Sequence, residues 1–175
     1  GFVERIGGWS RAGSVAFKGS CRKMHDFVTL ASENLLFMGT NEKAYLEDSG
    51  VLYDITPIRR TVTLGADPIT TQSAGTGIIR VTDGVNGVVL GDYVTFSGAS
   101  AVDGLTTVDL NKEHVVTAII NTSTYEVNTG GTSVSGSTAG GGSSVSAAYQ
   151  ISIGLDTTVL GPGWGAGTWG RFTWG

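Results

Sequence analysis

The chain has 175 residues and a net charge of −4; 28 residues are glycine and only 15% are charged. That balance excludes a helical protein built on Ala, Leu, Glu and Lys and points to short strands joined by tight turns. With 40% hydrophobic residues it also excludes a disordered chain. Arg59-Arg60 is the one basic cluster, too little for sequence-independent nucleic-acid binding, and no run of 18 apolar residues marks a membrane-spanning helix.

The opening GFVERIGGWSRAG carries Trp9 but neither an initiator Met nor a basic region followed by an apolar one. It is therefore expected to be the cut end of a longer chain, with no signal peptide. GSVAFKGSCRKMHDF has room for one helical turn at most, because its glycines oppose more. The lone Cys21 has no partner for an internal disulfide, so packing and hydrogen bonds must hold the fold.

From Asp26 onward, apolar pieces at 27–31, 35–39, 43–46 and 51–55 alternate with the turn-formers SEN, TNE and EDSG. Links this short join antiparallel neighbours, since a parallel crossover needs a dozen residues or more. The expected unit is a four-stranded meander, either blade-like as in a β-propeller, with LLFMG innermost, or a piece of an ordinary β-sandwich. As one blade it must pair with further sequence or with neighbouring subunits.

A second unit is expected from 62 to 153. Its strands fall at 77–82, 93–97, 114–120, 124–127 and 145–153, and Gly91-Asp92 makes a tight turn ahead of the second. Five short strands with glycine turns suggest a small barrel that removes its edges by closing. The stretch GGTSVSGSTAGGGSS, within residues 129–144, reads as a flexible surface loop.

No constellation for chemistry emerges. His25 and His114 lie far apart without further ligands at metal-binding spacing. Cys21 and His25 stand four apart, but only Asp26 is near to orient a thiol–imidazole pair. Glu42, Glu47, Asp48 and Asp54 fall on turns and strand edges rather than as facing carboxylates. GTGIIR and GGTSVSG lack the GK[ST] and the strand-to-helix setting of a phosphate loop. The expectation is a protein without catalytic, metal-binding or cofactor-binding residues.

The tail GPGWGAGTWGRFTWG sets Trp164, Trp169 and Trp174 five residues apart among glycines. A step of five flips the side of a strand, and the glycines oppose a helix. What remains is a strap of turns (154–175) presenting large anchors, each indole with about 150–250 Å² to bury. Either the indoles pack over the chain's own β-domain, or they dock into a neighbour. Docking is preferred, because a monomer gains nothing from three exposed anchors. Trp164, Trp169, Trp174, Phe172 and Trp9 are the expected subunit-docking residues.

Three stretches together resemble a family of tailed-bacteriophage virion proteins: ERIGGWSR, ENLLFMGTNEKAYLEDSGVLYDITPIR and GWGAGTWGRFTWG. VLGDYVTFSGA is similar to an element common in phage tail and baseplate proteins, set in a small β-barrel insert. The resemblance spans most of the chain. It implies a structural part of the tail, nozzle- or hub-like, arranged as a symmetric ring with no catalysis. The expected architecture is thus all-β: a propeller-blade-like meander with its N-terminal segment (1–61), a small SH3-like or OB-like barrel (62–153) and an irregular Gly/Trp tail. Expected partners are copies of the same chain, other tail or connector proteins, and DNA passing a lumen without specific binding. The rival is a tail-fibre or receptor-binding module that stacks a cell-surface glycan on exposed aromatics. A third class, a polysaccharide depolymerase, needs paired carboxylates in a cleft.

Overall fold

The computed structural model describes residues 15–152. Every strand pairing in it is antiparallel, and the all-β architecture expected from composition is the one found.

The first sheet is the meander β1 (Cys21–Val28), β2 (Asn34–Thr40), β3 (Ala44–Asp48), β4 (Val51–Asp54), in that spatial order. β1 begins earlier than the expected 27–31 and replaces the helical turn allowed for GSVAFKGSCRKMHDF. The cause is the link to β2. Thr29 N donates to Glu33 O, Ser32 N to Thr29 O and Glu33 N to Thr29 Oγ1, so Leu30 and Ala31 belong to the turn. Pairing from Val28↔Asn34 back to Cys21↔Thr40 then draws CRKMHDFV into the extended form, with a bulge between Cys21 and Lys23.

The second sheet holds β5 (Ile58–Thr63), β6 (Ile69–Thr71), β7 (Ile78–Thr82), β8 (Tyr93–Ser97), β9 (Glu113–Asn121), β10 (Thr124–Asn128), β11 (Ala139–Gly140) and β12 (Ser146–Gln150). Its order is β11-β6-β7-β10-β9-β8-β12-β5, and its two ends meet. β5 runs on into β6 and β11 into β12, while Leu64 N donates to Val145 O and Asp67 N to Gly142 O across the gap. The sheet therefore closes on itself as a small barrel and leaves no long free edge. Three strands escaped the sequence pattern. β5 (IRRTVT) carries two arginines, and β6 and β11 are three and two residues long.

Alternation sets the inside. Ile79 and Val81, Val94 and Phe96, Val116, Tyr125 and Val127, Ala147 and Tyr149 all point inward and form one buried cluster. One end is plugged by Leu105 and Leu110, the latter on α1 (Thr107–Leu110). This single turn, absent from the sequence reading, exists because Thr106 and Asp109 form a reciprocal capping box: Asp109 N donates to Thr106 Oγ1 and Thr106 N to Asp109 Oδ2. The VLGDYVTFSGA element opens and closes β8 with glycines in the left-handed region, Gly91 (φ 89°) and Gly98 (φ 73°). A Cβ at Gly98 would collide with the Ser144 carbonyl.

Residues 129–144, expected as a flexible loop, are tied down. Asp103 accepts from Ser135 N at 2.9 Å, Ser135 Oγ at 2.7 Å, Gly136 N at 2.7 Å and Thr71 Oγ1 at 2.8 Å. Those bonds hold its carboxyl far below the usual range, Ser135 foremost. Ser133 Oγ also donates to Ser73 O. Low side-chain complexity hid a segment ordered through its backbone donors. The Asp103→Ala variant is expected to release it: limited proteolysis should cut the variant within 133–138 and leave the native chain intact there. Equal resistance would show that the backbone bonds suffice.

Candidate functional site

Trp9, Trp164, Trp169, Phe172 and Trp174, the anchors expected from sequence, lie outside the described residues. Among the described residues the meander carries two features: a buried ionic junction with the barrel and an apolar face left largely exposed.

The junction forms where the β2–β3 turn meets the barrel wall. Tyr93 points outward from β8, opposite in phase to the inward Val94, yet is only 5% exposed because the meander covers it. Its hydroxyl donates to Glu42. Lys43 Nζ sits 4.6 Å from the centre of the Tyr93 ring and donates to both Asp54 and Glu113. Lys18 Nζ reaches the other oxygen of Glu113 at 2.6 Å, and Gln150 Nε2 donates to Glu113 at 2.9 Å. Residues 18, 42, 43, 54, 93, 113 and 150 thus converge from opposite ends of the described chain.

Electrostatics follow from this geometry. Burial pushes the Lys43 ammonium down, but hydrogen bonds to Asp54 and Glu113 outweigh it and hold its pKa above the ordinary lysine value. Burial pushes Glu113 up, and the two lysines overcome it, so its pKa is lowered. Asp54 is lowered likewise by Lys43 and Thr56. Burial, then the Glu42 carboxylate, drives the Tyr93 phenol well above its ordinary value. The charged groups of the cluster are engaged with one another, which makes it a clamp, while Gln150 Oε1 is buried without a partner among the described residues. Sequence reasoning placed Glu42 and Asp54 on turns and edges but missed Lys43, Tyr93 and Glu113. Lys43 and Glu113 lie 70 positions apart, and no local pattern links them.

The second feature comes from register. Across the meander Phe27↔Leu35, Phe37↔Leu46, Leu46↔Tyr53 and Asp48↔Val51 are paired, and paired residues share a face. Ile55 N donates to Ala44 O, which continues the same row. One face therefore carries Phe27, Leu35, Phe37, Leu46, Val51, Tyr53 and Ile55, together with Lys23, His25 and Asp48. Phe27, Val51, Tyr53 and Ile55 are exposed, Val51 and Tyr53 at 50% each; Phe37 and Leu46 are half-buried. The opposite face holds Lys43, Tyr45 and Met38, all buried toward the junction and residues 15–18. A sheet face this rich in exposed apolar side chains marks an interaction surface.

The remaining sequence candidates are placed singly. Cys21 and His25 lie on β1, where four extended residues separate them by about 13 Å. The His25 ring stacks on Phe27, centroids 6.3 Å apart. His114 is buried against Phe96, its Nε2 3.0 Å from Leu110 O, and burial lowers its pKa, so it stays neutral. Glu47 accepts from Gly50 N and Asp48 from Ser49 Oγ within their own turn. Among the described residues no group of three or more His, Cys, Asp or Glu is placed to hold a metal ion, and no helix is long and apolar enough to cross a membrane.

An open groove of about 470 Å³ runs along the β5–β6 bend, lined by Thr63 to Pro68 and Thr82 to Gly84. Its lining has no aromatic side chain on which a sugar ring would stack. Its two carboxylates are engaged, Asp67 with Gly142 N and Asp83 with Arg60 and Tyr149.

The chain is similar in fold to the phage phi92 endosialidase. The TM-score is 0.43 at 17% identity, covering 75% of this chain and 17% of that one. The chain thus spans about a sixth of that protein's length. No protein-family model matches the sequence, and no curated protein matches it.

Proposed function

We propose that this chain is a structural component of a bacteriophage virion tail, nozzle- or hub-like, that works by symmetric assembly and without catalysis. The observation that carries this is the uncovered apolar face of the meander on a molecule whose barrel core is already complete. A finished core leaves that face with no use inside the described chain, and a surface of its kind needs a partner. The resemblance of the blade-like stretch and the Gly/Trp repeat to phage virion proteins supplies the setting.

The mechanism is burial. The junction fixes the meander on the barrel, the barrel presents a rigid wall, and Trp164, Trp169, Trp174, Phe172 and Trp9 anchor one subunit to the next. Partners are copies of the chain in a ring, where a head-to-tail contact closes by rotation, and other tail or connector proteins. With a net charge of −4, a ring lumen would let DNA pass rather than hold it, the reverse of counterion-release binding.

Electron microscopy of the expressed chain tests this. Rings of one symmetry are the expected result. A monodisperse monomer that binds on a glycan array would replace this function with receptor recognition.

A further inference from the structure

We infer that the apolar face of the meander is the seat for residues 164–174 of a second copy of this chain, an inference that rests on the assembly function proposed above. The face and the anchors are matched in chemistry. Phe27, Phe37, Leu46, Val51, Tyr53 and Ile55 make an aromatic and aliphatic surface, with Lys23, His25 and Asp48 on the same side. Gly39 and Ala44, opposite each other in register, leave a dip in it, and the edge of the Phe37 ring forms its wall. Flat rings with a large apolar area suit such a surface. Three indoles together offer about 450–750 Å², close to the ~800 Å² that each partner buries in a stable interface.

The spacing of the chain selects a second copy over the same one. Ile151 N donates to Pro57 O at 2.9 Å, so the last described residues lie two positions from Ile55, at the lip of the chain's own face. The four strands of that face span only about 15 Å from first to last. The first anchor, Trp164, comes 12 residues after Ser152, a reach of about 40 Å when extended. An anchor for the adjacent face needs almost no spacer, and a spacer of this length would reach that face only by looping back. The same length carries the strap to the corresponding face of a neighbour. Because the face and the strap are different patches, each copy gives one contact and receives one, the heterologous arrangement that builds a ring.

Two variants of the full chain separate the patches. Val51→Glu with Tyr53→Glu charges the face at two half-exposed positions, and circular dichroism checks that its fold is kept. Replacing Trp164, Trp169 and Trp174 with Ala removes the anchors. Light scattering should show that the wild-type chain self-associates and that each variant weakens association at least ~30-fold, as for hot-spot residues. A one-to-one mixture should then give dimers, because one strap and one face remain intact.

All four tryptophans are at positions 9, 164, 169 and 174, so indole emission reports on the strap and Trp9 alone. The emission of the wild-type chain should be blue-shifted, and the face variant should lose that shift. If the face variant assembles like wild type, the strap docks elsewhere; this inference falls while the assembly function stands. A mixture without dimers also overturns it. If the wild-type chain is monomeric, the assembly function fails. A blue shift that the face variant removes then identifies the chain's own strap as the occupant, and an unchanged emission frees the face of the strap altogether; either result overturns the second-copy contact.

Discussion

Replacing Lys43 with Met is expected to destabilise the junction by about 3 kcal/mol and to loosen the meander from the barrel. The methionine keeps most of the stem volume, so the effect isolates the charge. Removing one partner of a buried ion pair typically costs about 3–5 kcal/mol, because the other charge stays desolvated without compensation. The Lys43 side chain is 1% exposed, while Asp54 and Glu113 keep 37% and 24% of theirs. Water reaches both carboxylates and relieves part of the cost, which selects the lower end of that range. Hydrogen exchange should quicken across β1–β4 and stay slow in β7–β10, whose bonds enclose the barrel core. Uniform acceleration over both sheets would mean that they unfold as one unit and that the clamp is not a separate hinge of stability.

The pH dependence of that difference has a definite sign. Asp54 and Glu113 have folded pKa values below their unfolded ones, so their contribution is present above pH ~4 and is lost as pH falls through the folded values. Lys43 is raised in the folded state, so its contribution is complete below its unfolded pKa of about 10.4 and is lost above that. The gap between wild type and the Lys43→Met variant should therefore be widest between about pH 5 and 9 and should shrink in acid. Unfolding by urea at several pH values measures it. A gap that persists unchanged at pH ~3 would assign the effect to packing alone.

What the sequence disclosed and what it hid divide along the range of the interactions. Strands β2, β4, β7, β8 and β10 lie within a residue or so of their expected positions, because each has local alternation and a turn-former at its end. The Gly91-Asp92 turn is equally local: Gly91 takes a positive φ and Asp92 Oδ2 accepts from Val89 N. Closure of the barrel through β5 and β6 is not local. It depends on Leu64 meeting Val145 and Asp67 meeting Gly142, contacts that no window of residues contains. The order of residues 129–144 was hidden for a different reason. Asp103, about thirty positions earlier, supplies the acceptors for that segment's backbone, and composition records only the glycines and serines. The apolar face was half legible. Period-two alternation marks LLFMG and VLYDI as strands, but which side stays uncovered follows only once Lys43 and Tyr45 are seen to take the other side into the junction.

The fold is expected to collapse cooperatively in alkali, because three phenols are held neutral. Tyr93 is covered by the meander and donates to Glu42. Tyr125 and Tyr149 lie fully buried inside the barrel, their hydroxyls 3.1 Å apart, and Tyr149 donates to Asp83 at 2.7 Å. Arg60 reaches the same carboxylate with both terminal nitrogens and stands over the Tyr149 ring with Arg59. Burial raises all three phenols well above the ordinary tyrosine value. Glu42 adds to this at Tyr93, and the neighbouring phenol with Asp83 adds to it at Tyr149.

A folded pKa above the unfolded one gives stability that is complete below about pH 10 and lost as pH rises beyond it, since only the unfolded chain then releases its protons. Each phenol costs about 1.4 kcal/mol of stability per pH unit in that window, and three cost about 4. Against the 5–15 kcal/mol typical of a domain, the transition should fall within a few pH units above 10. The phenolate absorbance contributed by Tyr93, Tyr125 and Tyr149 should appear together with the loss of far-ultraviolet dichroism. Tyr149→Phe removes one titrating group and should cut the alkaline slope by about a third, while exposing Asp83 and the Tyr125 hydroxyl to the usual cost of a lost buried partner. Phenolate absorbance from these three tyrosines rising smoothly under an unchanged dichroism spectrum would show that their hydroxyls reach solvent without unfolding, and the barrel interior would then be far more open than its packing implies.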